Sequence, residues 1–228
     1  MELGLREEIA LYEPPEKIHQ ELGRISLLAV VGPTAAGKTT LMNELENMAP
    51  SRIGRAIGDT SRRPRKDEKR GRDYHFRSRR SMLEDMRRQR YVQVALAPTG
   101  DLYGTRLSAF QPGKTMVMAV LASEVYTFRT YGFKELKTAF IVPRSDADWR
   151  QWIGSHHLSR EELAKRTGEA IDSYAFALTD RGTAFILNDT IQAATRRLMR
   201  LALGGEPDSQ ATARAQAVNN LKALKFRA

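Results

Sequence analysis

The sequence predicts an α/β fold with a mostly parallel central sheet, and three observations carry that expectation. Short apolar runs recur along the chain, each followed by a segment of helical spacing, and this alternation builds parallel sheets covered by helices. The first core run, Ile25 to Val31, is almost continuously apolar, as suits a strand buried on both faces. It leads into Gly32-Pro33-Thr34-Ala35-Ala36-Gly37-Lys38-Thr39, a G-x-x-x-x-G-K-T phosphate-binding loop set between a strand and a helix.

The elements follow in order. Residues 1–24 read as an N-terminal extension. In it, Leu5 to Leu11 forms a short helix stopped by Pro14-Pro15, because proline lacks the N–H and clashes with the preceding turn. Residues 17–22 add a turn or two. Lys38 to Met48 is a helix, with Leu41, Leu45 and Met48 on one face, and Ser51 to Ile57 returns as a short strand. Residues 59–112 turn polar, basic and rich in turns, which marks an insertion outside the main sheet. Thr115 to Leu121 is the next strand, Ser123 to Thr130 a helix, Thr138 to Val142 a strand ending at Pro143, and Ser145 to Ile153 a helix. After the loop holding His156 and His157, Ser159 and Glu162 form a capping box that opens a helix from Arg160 to about Phe176. Ala184 to Leu187 is the last strand and Thr190 to Leu203 the helix after it. Gly204-Gly205 then breaks the chain before a C-terminal tail, 204–228, with helical character near its end.

Composition sets limits. The 228 residues, 41% of them apolar, can bury a real core and fit one domain with insertions, here residues 25–203. No apolar run is long enough for a membrane span, and the acidic N-terminus lacks the basic-then-apolar order of a signal peptide. Without cysteine there is no disulfide framework or thiolate metal site. A cytoplasmic protein is the expectation. The formal charge is +10, and a net +7 of it lies between Asp59 and Arg90, where thirteen Lys/Arg face six Asp/Glu. Such an excess attracts nucleotides or nucleic acid; a solvated basic surface is the plainer reading.

The loop's chemistry is specific. Small residues let backbone N–H groups curl around phosphate oxygens, and the following helix adds its N-terminal donors and dipole. The expected contacts to ATP come from Gly32, Ala35, Ala36, Gly37, Lys38, Thr39 and Thr40. Lys38 would reach the β- and γ-phosphates and Thr39 would ligate Mg²⁺. The loop names the donor and leaves the acceptor open.

The insertion holds Thr60-Ser61-Arg62-Arg63-Pro64-Arg65, then Gly71-Arg72-Asp73-Tyr74-His75-Phe76, then Leu102-Tyr103-Gly104-Thr105. In order and spacing these resemble guanylate kinases, whose pattern is T-T-R-x-P-R, G-x-D-Y-x-F and L-Y-G-T. Phe140 to Pro143, Ser159 to Arg166 and Ile186 to Asp189 are similar to later family segments, so the resemblance spans roughly residues 25 to 203. It implies a P-loop three-layer fold with a nucleoside-monophosphate-binding insertion at 59–112 and a lid at 146–166, two segments that close over the substrates. By resemblance, Arg62 and Arg65 hold the acceptor phosphate, Tyr74, Tyr103 and Thr105 add donors, Asn188 lies near the ATP site, and Lys38, Arg62, Arg150 and Arg166 stabilise the transferring phosphoryl group. Forked, charge-assisted hydrogen bonds suit a dianionic phosphate.

The sequence also departs from that pattern. Gly58 stands where the family has a serine four residues before its first motif arginine. Ungapped spacing puts Val94 where a glutamate reads the guanine edge, with Gln93 and Asp101 off that position. Met118-Ala119-Val120-Leu121 replaces L-D-I-D, and Trp152 to Leu158 replaces an arginine-bearing lid segment. The expected function is ATP-dependent phosphoryl transfer to GMP or an altered acceptor, with little preference for guanine. Two alternatives stay open: a non-catalytic guanylate-kinase-like binding or regulatory module, and a P-loop protein directed at nucleic acid, which is the less favoured partner.

Overall fold

A computed structural model describes residues 2–64, 68–97, 100–155 and 158–226. The central sheet has the order β2-β7-β1-β8-β9, from β1 (Ser26–Val31), β2 (Ile53–Arg55), β7 (Thr115–Ala119), β8 (Glu135–Pro143) and β9 (Thr183–Asn188). Every pairing within it is parallel. Strand β1 lies at its middle, and its alternate side chains feed two cores. Leu28 and Val30 pack under α3 (Lys38–Met48) and α8 (Ile191–Ala202), through Leu41, Met42, Leu45 and Leu198. Leu27, Ala29 and Val31 face the other layer: α2 (Glu16–Leu22), α5 (Val125–Thr130), α6 (Asp146–Gly154), α7 (Arg160–Thr179) and α9 (Gln210–Lys225). Both faces of the strand are therefore covered, which accounts for its unbroken apolar character.

Two segments at the ends of the chain are packed into this core. Helix α2 inserts Ile18 and Leu22, both buried. Helix α9 carries Ala213, Ala217, Asn220 and Leu224 inward at spacings of four and three. Asn220 donates Nδ2 to the Pro143 carbonyl at 2.9 Å and to the Tyr174 hydroxyl at 3.2 Å, and the Gln210 side-chain carbonyl accepts the Phe185 N–H at 2.8 Å. The tail thus closes the edge of the sheet at β9.

The basic stretch folds on a second, four-stranded sheet of order β4-β3-β6-β5, with β3 (Asp59–Thr60), β4 (His75–Phe76), β5 (Tyr91–Leu96) and β6 (Leu102–Arg106). Helix α4 (Arg79–Arg87) and helix α1 (Glu2–Ala10) cover its back, packing Met82, Met86 and Ile9 against Tyr91, Val94 and Leu102. Gly104 is required here. A Cβ at that position would lie 2.8 Å from the Tyr91 ring, so glycine alone lets the tyrosine lie against β6.

An ion network welds this subdomain together, and the sequence pattern had not indicated it. Asp59 accepts from Arg77 at 3.0 Å, Arg106 at 2.7 Å and the Tyr91 hydroxyl at 2.6 Å. Asp85 accepts from Arg77 at 2.8 Å, Arg90 at 3.0 Å and Arg106. Both carboxylates are buried. Burial of the Tyr91 phenol, with its hydrogen bond to the Asp59 carboxylate adding, pushes its pKa well above the ordinary range, since a phenolate would stand desolvated against a carboxylate. Removing one partner of a buried pair leaves charges uncompensated. Asp59→Ala is expected to cost about 3 kcal/mol and lower Tm by several degrees. An unchanged thermal melt would refute a stabilising role for the network.

Candidate functional site

The phosphate-binding loop, residues 32–39, lies at the carboxyl end of β1, where parallel sheets bind ligands. Its curvature rests on three left-handed or equivalent positions: Gly32 at φ 143°, Ala35 at 62° and Gly37 at 88°. Two of these also permit close approach. A Cβ on Gly32 would lie 2.9 Å from the Ile141 carbonyl oxygen, and one on Gly37 would lie 2.6 Å from Asn188 Nδ2. Asn188, buried at the end of β9, donates that same nitrogen to the Ala36 carbonyl at 3.0 Å. Its amide therefore props the loop from beneath. Thr39 and Thr40 are exposed on the first turn of α3, whose N–H donors have no intrahelical acceptor. The loop shape, these donors and the exposed Thr39 hydroxyl fit a magnesium-bound triphosphate.

Lys38 turns its ammonium back onto the loop, donating to the carbonyls of Gly32 at 2.6 Å and Pro33 at 2.8 Å. Burial of the ammonium, with the nearby charge of Arg166 adding and that of Glu169 opposing, pushes its pKa down to about 8. Contact with phosphate oxygens restores the charged form, so ligand binding is linked to protonation. Below pH 8 Lys38 is already charged and binding takes up no proton there. Between pH 8 and the ordinary lysine value of about 10.4, ATP binding is expected to take up close to one proton. Its affinity then falls by up to about tenfold per pH unit across that window. Calorimetry at pH 9 in buffers of different ionisation enthalpy reads this directly, and equal apparent enthalpies would refute it.

Helices α6 and α7 meet the loop from one side. Trp149, buried on α6, donates Nε1 to the Thr34 carbonyl at 2.8 Å. Arg166 on α7 is near enough for its charge to act on Lys38, and is held by Glu169 at 2.6 Å. Arg150 is turned to Asp146 at 2.8 Å, one helical turn back. His156 and His157 lie outside the described residues. Among the described residues no group of three or more His, Asp or Glu could hold a metal ion.

On the insertion, Arg62 is the centre of a clamp. Its guanidinium holds both oxygens of Glu68, at 2.5 and 2.6 Å, and its Nε donates to the Tyr103 hydroxyl at 3.1 Å. It also lies over the Tyr74 ring at 5.1 Å and the Phe76 ring at 5.7 Å, and Tyr74 meets Tyr103 edge-on at 5.7 Å. The Glu68 carboxylate beside it holds the Arg62 pKa above even its ordinary value. Arg62, Tyr74 and Tyr103 are thus brought together. Thr105 is buried, with its hydroxyl on the Met118 sulfur at 3.5 Å, which joins the insertion to the central sheet. Arg65 lies outside the described residues.

The strand register changes the reading of the base face. In the β5–β6 pair, Gln93 opposes Thr105 and Ala95 opposes Tyr103, whereas Tyr91 opposes Arg106. One residue, Val92, is extra on β5, and this bulge reverses the strand's phase. The direct pairings put Gln93 and Ala95 on one face with Tyr103 and Thr105, and the bulge leaves Tyr91 on the other. Val94 turns to the opposite face, buried among Ile9, Met82, Met86 and Leu102. Ungapped spacing had put Val94 at the base-reading position and set Gln93 aside; in the structure it is Gln93 that shares the face of Tyr103 and Thr105. Nothing at the neighbouring strand end compensates. Ala119 pairs with Val30 just before the loop, and Ala119 and Leu121 are exposed there in place of carboxylates. Gly58 is tight for a side chain, since a Cβ would lie 3.0 Å from the Gly104 carbonyl oxygen.

Comparison with known proteins is consistent with this geometry. The family described as Guanylate kinase matches residues 24–202. Human Protein PALS2 is 32% identical over 132 residues, which is 56% of this chain and 24% of that protein. Human MAGUK p55 subfamily member 2 is 34% identical over 132 residues, 56% of this chain and 22% of that protein. The chain thus spans about a quarter of the length of these relatives. A guanylate kinase of Trichormus variabilis is 29% identical over 177 residues, covering 75% of this chain and 86% of that protein. The crystal structure of guanylate kinase from Anaplasma phagocytophilum shares the fold, at TM-score 0.58 and 19% identity, over 89% of this chain and 94% of that one.

Proposed function

Since the chain belongs to the guanylate kinase family, we propose that it transfers the γ-phosphoryl group of ATP to the phosphate of a nucleoside monophosphate whose base it reads through an amide. The observation that carries this reading is the Arg62 fork, closed on a carboxylate and flanked by two tyrosines. The Glu68 carboxylate stands in for the planar, doubly accepting edge of a phosphate. An acceptor phosphate would exchange with it and meet the same donors.

The chemistry asks little beyond alignment and charge stabilisation. An acceptor phosphate oxygen, already anionic, forms the new bond to the γ-phosphorus. The bond from that phosphorus to the β–γ bridging oxygen breaks, and ADP leaves with the electron pair. Bond formation at an anionic oxygen requires no general base. Lys38 leaves the Gly32 and Pro33 carbonyls for phosphate oxygens, and Arg166 adds positive charge from the lid side. Mg²⁺, held at Thr39, would neutralise charge on the leaving oxygens. Trp149 ties lid helix to loop, so lid position and loop shape change together.

A second reading is a binding module that has kept the fold without turnover. The apolar, exposed Ala119 and Leu121 at the carboxyl end of β7, where the resemblance expects carboxylates, favour it. An ADP-release assay with ATP and Mg²⁺ across GMP, IMP, AMP, dGMP and pyrimidine monophosphates separates the two. Turnover with at least one purine monophosphate is expected. Background ATPase alone across the panel would leave the binding module as the function.

A further inference from the structure

The pole of the molecule opposite the phosphate-binding loop carries a second concentration of charge. A cavity of about 330 Å³ opens there, at the amino ends of the central strands. Each of four adjacent strands is preceded by a cation that lines it. Arg52 precedes β2, Lys114 precedes β7, Arg24 precedes β1 and Lys134 precedes β8. In sheet order this is a row of positive side chains, one per strand. Hydrogen-bonded strands lie about 4.8 Å apart, so the row spans on the order of 14 Å.

The row is poorly compensated. Among the described residues, Arg52, Lys114 and Lys134 have no carboxylate within ion-pair distance, and Arg24 has only the exposed Glu21 at 3.5 Å. Glu135, the one acid lining the cavity, is engaged by Lys137 at 3.1 Å. The carboxyl end of α8 also borders the cavity and could have balanced the cations with its carbonyls. Those of Leu201 and Ala202 are already bonded, by Lys137 Nζ and by the Thr115 hydroxyl, both at 3.2 Å. Like charges held in a row without partners repel and add nothing to folding; they create a field that an anion relieves.

We infer that this cavity is a second anion site, distinct from the ATP loop, that binds a linear oligophosphate of three or more linked phosphates. The linear arrangement, one cation per strand, matches a chain of anionic groups better than a single phosphate. The volume suits a small ligand rather than a folded partner. The site lies at the far end of the sheet from the transfer chemistry, and it does not depend on the acceptor or on turnover.

Inorganic tripolyphosphate is the probe, titrated calorimetrically into the full chain. The wild type is expected to bind two equivalents. Lys38→Ala should abolish one and keep the other. Adding Arg52→Glu and Lys114→Glu to that variant should weaken the remaining site at least tenfold. It should also lower the slope of log affinity against log salt, because fewer cations are engaged. Arg52→Lys with Lys114→Arg keeps the charge and should keep the binding, which guards against a folding artefact. Arg52 is exposed and Lys114 half-buried, and the thermal melt reports the fold. Absence of a second equivalent, or a second equivalent indifferent to Arg52→Glu and Lys114→Glu, overturns the inference. So does a ten-nucleotide single-stranded RNA that binds this site more tightly than tripolyphosphate, which would make it a nucleic-acid surface.

Discussion

Replacing Lys38 with Ala is expected to lower kcat by two to three orders of magnitude without lowering Tm. The first half follows from where charge develops. A donor aimed at phosphoryl oxygens in a site shielded from water is worth about 10²- to 10³-fold in rate. Lys38 is the cation on the loop itself, with its ammonium already enclosed. The second half follows from the depressed pKa. With its folded pKa near 8, below the unfolded value, the native state disfavours the charged lysine at pH 7. Removing that buried charge therefore relieves a penalty, which offsets the two lost hydrogen bonds to Gly32 and Pro33. Lys38→Arg should not rescue turnover, because a planar fork cannot take the place of a compact ammonium between two carbonyls. The measurements are steady-state ADP release and a thermal melt on the same preparations. A kcat within tenfold of wild type would remove Lys38 from the reaction.

The parts of this molecule that could be read from sequence are those encoded locally. Val31 to Thr39 declares itself because strand, glycine spacing, lysine and helix fall within one short window. Arg62, Tyr74 and Tyr103 declared themselves through spaced motifs, and the structure brings their side chains together. The rest depends on contacts across long separations. Trp149 reaches Thr34 across 115 residues, and only the fold reveals that an indole braces the loop. For helix α9 only helical character near the end of the tail was legible, because its buried stripe is Ala213, Ala217, Asn220 and Leu224, which is weakly apolar and includes an amide. The Asp59–Asp85 network reads in sequence as ordinary surface charge, since nothing local says that these two among six acids are buried. The most consequential loss was the β5–β6 register. Val94 pairs with Gly104 and therefore faces away from Tyr103, and residue spacing alone does not show which of two neighbouring strand residues shares the tyrosine's face.

That register sets up the sharpest expectation for specificity. Gln93 shares its face with Tyr103 and Thr105, and the family resemblance expects a guanine-reading glutamate in this stretch of β5. A carboxylate accepts from both the N1–H and the 2-amino group of guanine. A carboxamide has one acceptor and one donor, so it can satisfy only one of them, or pair with N1–H and O6 instead. The second mode ignores the 2-amino group, and the wild type should therefore use GMP and IMP about equally. The same amide can also pair with the N6–H and N1 of adenine, which admits AMP. Gln93→Glu restores an acceptor pair for guanine and leaves adenine N1 facing a carboxylate. A charge-assisted hydrogen bond is worth roughly 1.5–3 kcal/mol, so kcat/KM for GMP over IMP should rise about tenfold or more. The ratio of GMP to AMP should rise further, because AMP loses a bond as GMP gains one. Val94→Glu is the matched control. Its side chain points into the packing of Ile9, Met82, Met86 and Leu102, where an unpaired carboxylate has no partner. That variant should melt several degrees lower and gain no guanine preference. If Val94→Glu instead folds normally and acquires GMP selectivity while Gln93→Glu does not, the phase of β5 drawn here is wrong and the base is read from the opposite face of the strand.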